Sequence, residues 1–154
     1  MRTFGLDYGT KTIGVAVSDG LGLTAQTVTT VRRTSLKGDL AELSRLVKEH
    51  EVTRFVLGLP LNMNGTEGPR AEASRKFAQV LESALGLPVE LWDERLSTVA
   101  AQRTLLEADV RREKRREVID QLAAQFILQG WLDAHRPKDQ GYEDGYDDDY
   151  DPEG

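Results

Sequence analysis

Apolar residues follow two different periods along this chain, and the change from one to the other marks where strands give way to helices. Residues 3–6 and 13–17 read as strands, with Gly9, Thr10 and Lys11 forming the turn of a hairpin between them. A third strand is predicted over 24–31. Leu36, Leu40, Leu43, Leu46 and Val47 lie at helical spacing and predict a helix over 36–50. The run Phe55-Val56-Leu57-Gly58-Leu59, ended by Pro60, suits a strand buried on both faces. Asn62-Met63-Asn64-Gly65 has turn chemistry, and Phe77, Val80, Leu81, Ala84 and Leu85 form the core stripe of a second helix. Gly86 and Pro88 end that helix. A fifth strand over 89–92 follows, then a helix capped by Ser97 and running to about 108, then a last helix over about 113–135. The order β-β-β-α-β-α-β-α-α is that of an α/β domain, a mixed five-stranded sheet flanked by helices.

Composition fills in the outline. At 154 residues, 39% apolar and 30% charged, the chain suits one soluble domain with a real core. No apolar run approaches a membrane span, no signal-peptide pattern opens the chain, and there is no cysteine; the protein reads as cytoplasmic, without disulfides or thiolate-bound zinc. The net charge of −6 is unevenly distributed: eight of the 26 acids lie in 139–154, and the other 18 face 20 bases. The expected organisation is therefore a domain over 1–136 and an acidic, disordered tail over 137–154. That tail reads either as an inert solubilising extension or as a mimic of a nucleic-acid strand. Arg111, Arg112, Lys114, Arg115 and Arg116 crowd into six positions, as a solvated charged face or as a set of phosphate contacts.

Four acids, two of them neighbours, occupy positions where apolar residues are expected or where strands end. Asp7 closes the first strand, and Asp93 and Glu94 close the fifth. Each alone is readily explained as a turn cap. Asp120 is not, because at 100° per residue it falls among Ala123, Ala124, Ile127 and Trp131, while Gln121, Gln125 and Gln129 mark the opposite, wet face. A charge on a buried stripe is costly unless it is paired or bound to metal. Pairing with an arginine such as Arg95 is one solution. The other is a cluster of oxygen ligands for Mg²⁺ or Mn²⁺, which suits a chain with no cysteine and only two histidines. Such a cluster can hydrolyse phosphodiesters without a side-chain nucleophile.

Four motifs together resemble one family: Gly5-Leu6-Asp7-Tyr8-Gly9-Thr10-Lys11-Thr12-Ile13-Gly14-Val15-Ala16-Val17-Ser18-Asp19, then Gly58-Leu59-Pro60-Leu61-Asn62-Met63-Asn64-Gly65-Thr66-Glu67, then Asp93-Glu94-Arg95-Leu96-Ser97-Thr98, then Asp120-Gln121-Leu122-Ala123-Ala124. Their order and spacing over about residues 2–135 are similar to those of the YqgF (RuvX) family, described as pre-16S rRNA nucleases and as Holliday junction resolvase-like. The resemblance implies an RNase H-like fold and trimming of the 5′ end of 16S rRNA precursors in ribosome biogenesis. It also implies Asp7, Glu94 and Asp120 as metal-binding catalytic acids. Lys11, Asn62, Arg95 and the basic run before Asp120 would then face the nucleic acid. Ile119 stands where a valine is usual, and the tail exceeds the family's shared core. In the junction resolvases the second acid lies on the strand before the middle helix, where this chain has Gly58-Leu59-Pro60. The Asp-Glu-Arg motif supplies it instead, and strand alternation points Asp93 and Glu94 to opposite faces, with Glu94 the expected ligand.

The expected partner is RNA, with structured or single-stranded DNA as the alternative, and the expected state is a monomer or homodimer. Two competing readings come from other classes. Asp7-Tyr8-Gly9-Thr10-Lys11 also resembles the phosphate-binding hairpin of actin-like and sugar-kinase proteins, but the chain is about half their size and shows no internal repeat. A non-catalytic nucleic-acid-binding factor would have no need of the full acid set.

Overall fold

The computed structural model describes residues 1–109 and 112–136, with the side chains of residue 100 and of 106–117 excepted. The predicted tail, 137–154, lies outside the described residues. Five strands, β1 (Arg2–Tyr8), β2 (Thr12–Ser18), β3 (Ala25–Arg32), β4 (Val52–Leu59) and β5 (Val89–Asp93), form one sheet in the order β3-β2-β1-β4-β5. The hairpin partners β1–β2 and β2–β3 are antiparallel, whereas β1–β4 and β4–β5 are parallel and reached through helical crossovers. The helices are α1 (Leu36–His50), α2 (Pro69–Leu85), α3 (Val99–Asp109) and α4 (Arg112–Ala134), with a short 3₁₀ turn at Glu94–Leu96. Among the described residues no helix is long and apolar enough to cross a membrane.

Strand alternation sorts the side chains into two cores. Phe4, Leu6, Ile13, Val15, Phe55 and Leu57 pack against α1 and α2 through Leu43, Leu46, Phe77 and Leu81. The other face carries smaller groups, Ala16 and Val56 among them, and receives Ala123, Ala124, Ile127, Leu128 and Trp131 of α4. Two glycines set how closely that helix lies. A Cβ on Gly14 would stand 2.0 Å from the Asp120 carbonyl oxygen, and one on Gly58 would stand 2.5 Å from Ile127 Cδ1. Alternation also places Asp7 on the face of Gly5, so its carboxylate emerges beneath α4.

Two details differ from the sequence expectation. Gln125 and Gln129 do not mark a wet face: Gln125 donates to the Ala25 carbonyl at 2.9 Å, and Gln129 accepts from the Ala25 amide at 2.9 Å and donates to the Leu23 carbonyl at 3.0 Å. Helical period separates one buried face from the rest, whereas α4 is covered on a second side, by β3. Ser97 lies one residue too early to cap α3; its hydroxyl accepts weakly from the Val99 amide at 3.3 Å and donates to the Glu94 carbonyl at 2.9 Å.

Candidate active site

The C-terminal end of β1, the turn after β5 and the first half of α4 bring Asp7, Glu94 and Asp120 into one cleft of about 260 Å³. Tyr8, Lys11, Thr12, Arg70 and Arg103 also line it. Asp7 is 7% exposed. Burial pushes its carboxyl up to about 6; the nearby Arg103 opposes the shift and the charge of Asp120 adds to it. Burial, reinforced by the charge of Asp7, pushes Glu94 up to about 7. Glu94 reaches the cleft because Gly58 has no side chain there: a Cβ would stand 2.6 Å from Glu94 Oε2. Asp120 accepts from the Thr12 hydroxyl, which ties α4 to β2 at the cleft.

Asp93 turns the other way. Its carboxylate binds the Arg95 guanidinium at 2.8–3.2 Å and the Arg95 amide at 2.9 Å, and the Arg95 side chain's hydrogen bonds hold Asp93 below the usual carboxylate range. Arg95 is thereby committed to Asp93 rather than to Asp120, while Arg103 shares the cleft with Asp120 and feels its charge. Arg95 also donates to the Met63 carbonyl at 3.3 Å. Asn62 donates through its side-chain amide to the Thr66 hydroxyl at 2.9 Å, organising the turn between β4 and α2. Asn62 and Arg95 thus lie on two segments that meet beside the cleft, the turn between β4 and α2 and the 3₁₀ turn after β5, while Lys11 sits with the acids. Arg111 lies outside the described residues; Arg112, Lys114, Arg115 and Arg116 fall on α4, with side chains outside the described ones.

Sequence reasoning missed Arg33, Arg70, Arg103 and Thr12. Arg33 donates to the Gly9 and Thr10 carbonyls at 2.6 and 3.1 Å and lies 4.4 Å over the Tyr8 ring, while Arg70 donates to the Tyr8 carbonyl. Two arginines therefore fix the hairpin turn that presents Lys11. Arg103 lies 3.3 Å from Asp7. Burial works to lower its pKa, but the charges of Asp7, Glu94 and Asp120 outweigh that and hold it above its ordinary value.

The donor set suits a hard divalent cation: carboxylate oxygens whose own repulsion such an ion would relieve. Among the described residues, however, no three acidic or histidine side chains close around one ion-sized point. The carboxylates share the cleft with a guanidinium among them.

A mixed five-stranded sheet with a long helix across one face and acids gathered at one end defines an RNase H-like protein. Its backbone superimposes on Thermus thermophilus RuvC in complex with Holliday junction substrate, with a TM-score of 0.55 at 14% identity over 87% of this chain and 94% of that one. The model of the family described as "RuvX: Holliday junction resolvase" matches residues 1–134, and the chain belongs to that family. A protein of Myxococcus xanthus named "Putative pre-16S rRNA nuclease" is 79% identical over 142 residues, covering 92% of this chain and 94% of the relative. A Bacillus subtilis protein of the same name is 55% identical over 136 residues, covering 87% and 99%.

Proposed function

We propose that this protein is a divalent-metal-dependent nuclease that hydrolyses phosphodiester bonds in RNA, processing the 5′ end of pre-16S rRNA. The observation that carries the reading is the gathering of Asp7, Glu94 and Asp120, from three distant segments, into one cleft beside Lys11. Asp7, Glu94 and Asp120 would hold Mg²⁺ or Mn²⁺, which when bound supplies an activated water and charge stabilisation at the leaving oxygen. The chain's own part is to aim the carboxylates from the ends of rigid strands and from a helix, and to offer Lys11 to a phosphate oxygen from the exposed turn. Thr12 holds Asp120 in place, and Arg33 and Arg70 hold the turn. The rRNA substrate rests on the names of the relatives; the family description and the RuvC likeness favour a four-way DNA junction as the second reading.

The test is cleavage of a pre-16S RNA fragment, single-stranded DNA and a four-way junction, each with Mn²⁺, Mg²⁺ or EDTA. RNA cut at the 5′ side of the mature end, and only with metal, is expected. Cleavage of the junction alone removes the RNA reading, and undiminished cleavage in EDTA removes the metal.

The run Arg111, Arg112, Lys114, Arg115 and Arg116 precedes Asp120 in sequence and is assigned here to phosphate contacts. Replacing three of the five by glutamine is expected to weaken RNA binding and to reduce the slope of log affinity against log salt by up to about 2. A fluorescence-anisotropy titration over a salt series measures it, and an unchanged slope returns the cluster to a solvated face.

A further inference from the structure

Arg103 stands in the cleft with the acids, yet its contact with them is poorly made. Arg95 binds Asp93 through several contacts of 2.8–3.2 Å, and Arg45 binds Glu42 at 2.6 and 3.1 Å. Arg103 instead reaches Asp7 through a single contact of 3.3 Å, and its Nε is buried with no hydrogen-bond partner among the described residues. A structural ion pair in a half-buried site gains its stability from short, bidentate geometry with every donor satisfied. This one has neither, although three carboxylates stand around it. The side chain is also 36% exposed, so the guanidinium has a route back to water.

The same cleft holds three acids that do not close around an ion-sized point. A positive charge among them explains both facts: it relieves their repulsion while keeping them apart. We infer that Arg103 is an internal counter-cation, occupying the place of a divalent ion in the metal-free protein and withdrawing from Asp7 when metal enters. The inference rests on the reading of this cleft as a metal site. It makes Arg103 a positioning residue that sets metal affinity rather than a ligand.

Metal binding then includes the cost of parting Arg103 from Asp7, so the apparent affinity of the wild-type protein is lowered by that amount. In Arg103→Gln that cost is gone. Mn²⁺ binding, followed by the loss of the free-ion electron paramagnetic resonance signal, should tighten by roughly 5–10-fold, the lower part of the usual range of coupling between sites. In EDTA the same variant should melt earlier than wild type, with the deficit closing at saturating Mn²⁺. Arg103→Lys keeps a movable positive charge and should bind Mn²⁺ much as wild type does. A purely structural Arg103 would give the opposite sign, with weaker metal binding in Arg103→Gln. The wild-type protein supplies an independent readout: the Nε–Hε resonance of Arg103 should shift in step with Mg²⁺ occupancy.

Equal or weaker Mn²⁺ binding by folded Arg103→Gln overturns the inference, as does an Arg103 resonance that stays still while Mg²⁺ binds. If Arg103→Gln does not fold, the resonance decides alone. Mn²⁺ binding to neither wild type nor Arg103→Gln overturns the metal reading of the cleft, and this inference with it. Binding to wild type that is lost in Asp7→Asn, with no gain in Arg103→Gln, leaves the metal reading standing and overturns this inference only.

Discussion

Asp7→Asn should abolish phosphodiester cleavage and, in the same protein, raise the melting temperature of the metal-free form at pH 8. The first effect follows from the cleft. Asn keeps the shape of the side chain but loses the charge that would hold a cation, and a drop of about 10²–10³-fold or more is expected, the scale on which removing one preorganised electrostatic group acts. The second follows from linkage. The folded-state value of Asp7 is raised to about 6 from 3.8, so the folded protein holds a proton that the unfolded chain releases. Stability contributed by the neutral form is therefore present below about pH 4 and is lost as pH rises through 6. Glu94, raised to about 7, behaves in the same way over a window slightly higher. Above these values the folded protein carries buried charge that it would be more stable without. Removing the Asp7 charge at pH 8 should recover about 1–3 kcal/mol, seen as several degrees in the melting temperature in EDTA. The gain should fade toward pH 4, and saturating divalent metal should close the gap by stabilising wild type. Thermal melts at pH 5 and pH 8 measure it. A lower melting temperature for Asp7→Asn at pH 8, or retained cleavage, counts against the account. Loss of activity with gain of stability would mark the carboxylate as kept for function.

Gly14→Ala should destabilise the protein by more than about 3 kcal/mol, because overpacking against backbone has no side chain to yield. The added methyl would lie 2.0 Å from the Asp120 carbonyl oxygen and 2.4 Å from its carbonyl carbon, so α4 must lift from the sheet. Lifting it exposes the apolar face built from Ala123, Ala124, Ile127 and Leu128 and carries Asp120 away from Asp7. Gly20→Ala is the control: no atom lies within 4 Å of its Cβ, and the change should fall within about 0.5 kcal/mol. Urea unfolding of the two variants measures the difference. A Gly14→Ala protein within 1 kcal/mol of wild type would mean that α4 does not dock as described.

The element order was readable because strands and helices differ in period, and each predicted element is present within a few residues of its expected bounds. Asp120 stood out for the same reason: a helical period that sets an acid among Ala123, Ala124 and Ile127 predicts a carboxylate against the sheet, and α4 places it there. The separation of Asp93 from Glu94 was expected from alternation, but its cause is partly different. Glu94 has already left β5 for a 3₁₀ turn, and it enters the cleft through the space left by Gly58. Arg103 carried no local signal. Its approach to Asp7 depends on how α3 lies beside α4, which no periodicity encodes. Asn62 and Arg95 show the reverse limit: their motifs were plain, yet in the structure their side chains bind Thr66, in the turn before α2, and Asp93, at the end of β5.

The glutamines of α4 carry a further consequence. The sheet order leaves β3 at one edge, where unpaired peptide groups would accept a strand from another molecule. Through Gln125 and Gln129 the amide and carbonyl of Ala25 and the carbonyl of Leu23 are already bonded to side-chain amides, whose donors and acceptors match those of a peptide. The register shift between Val15 and Ala16 bends the β2–β3 ladder further along. The start of this border is thus sealed by the chain's own helix, and a neighbour seeking to extend the sheet there finds no vacant hydrogen-bonding register.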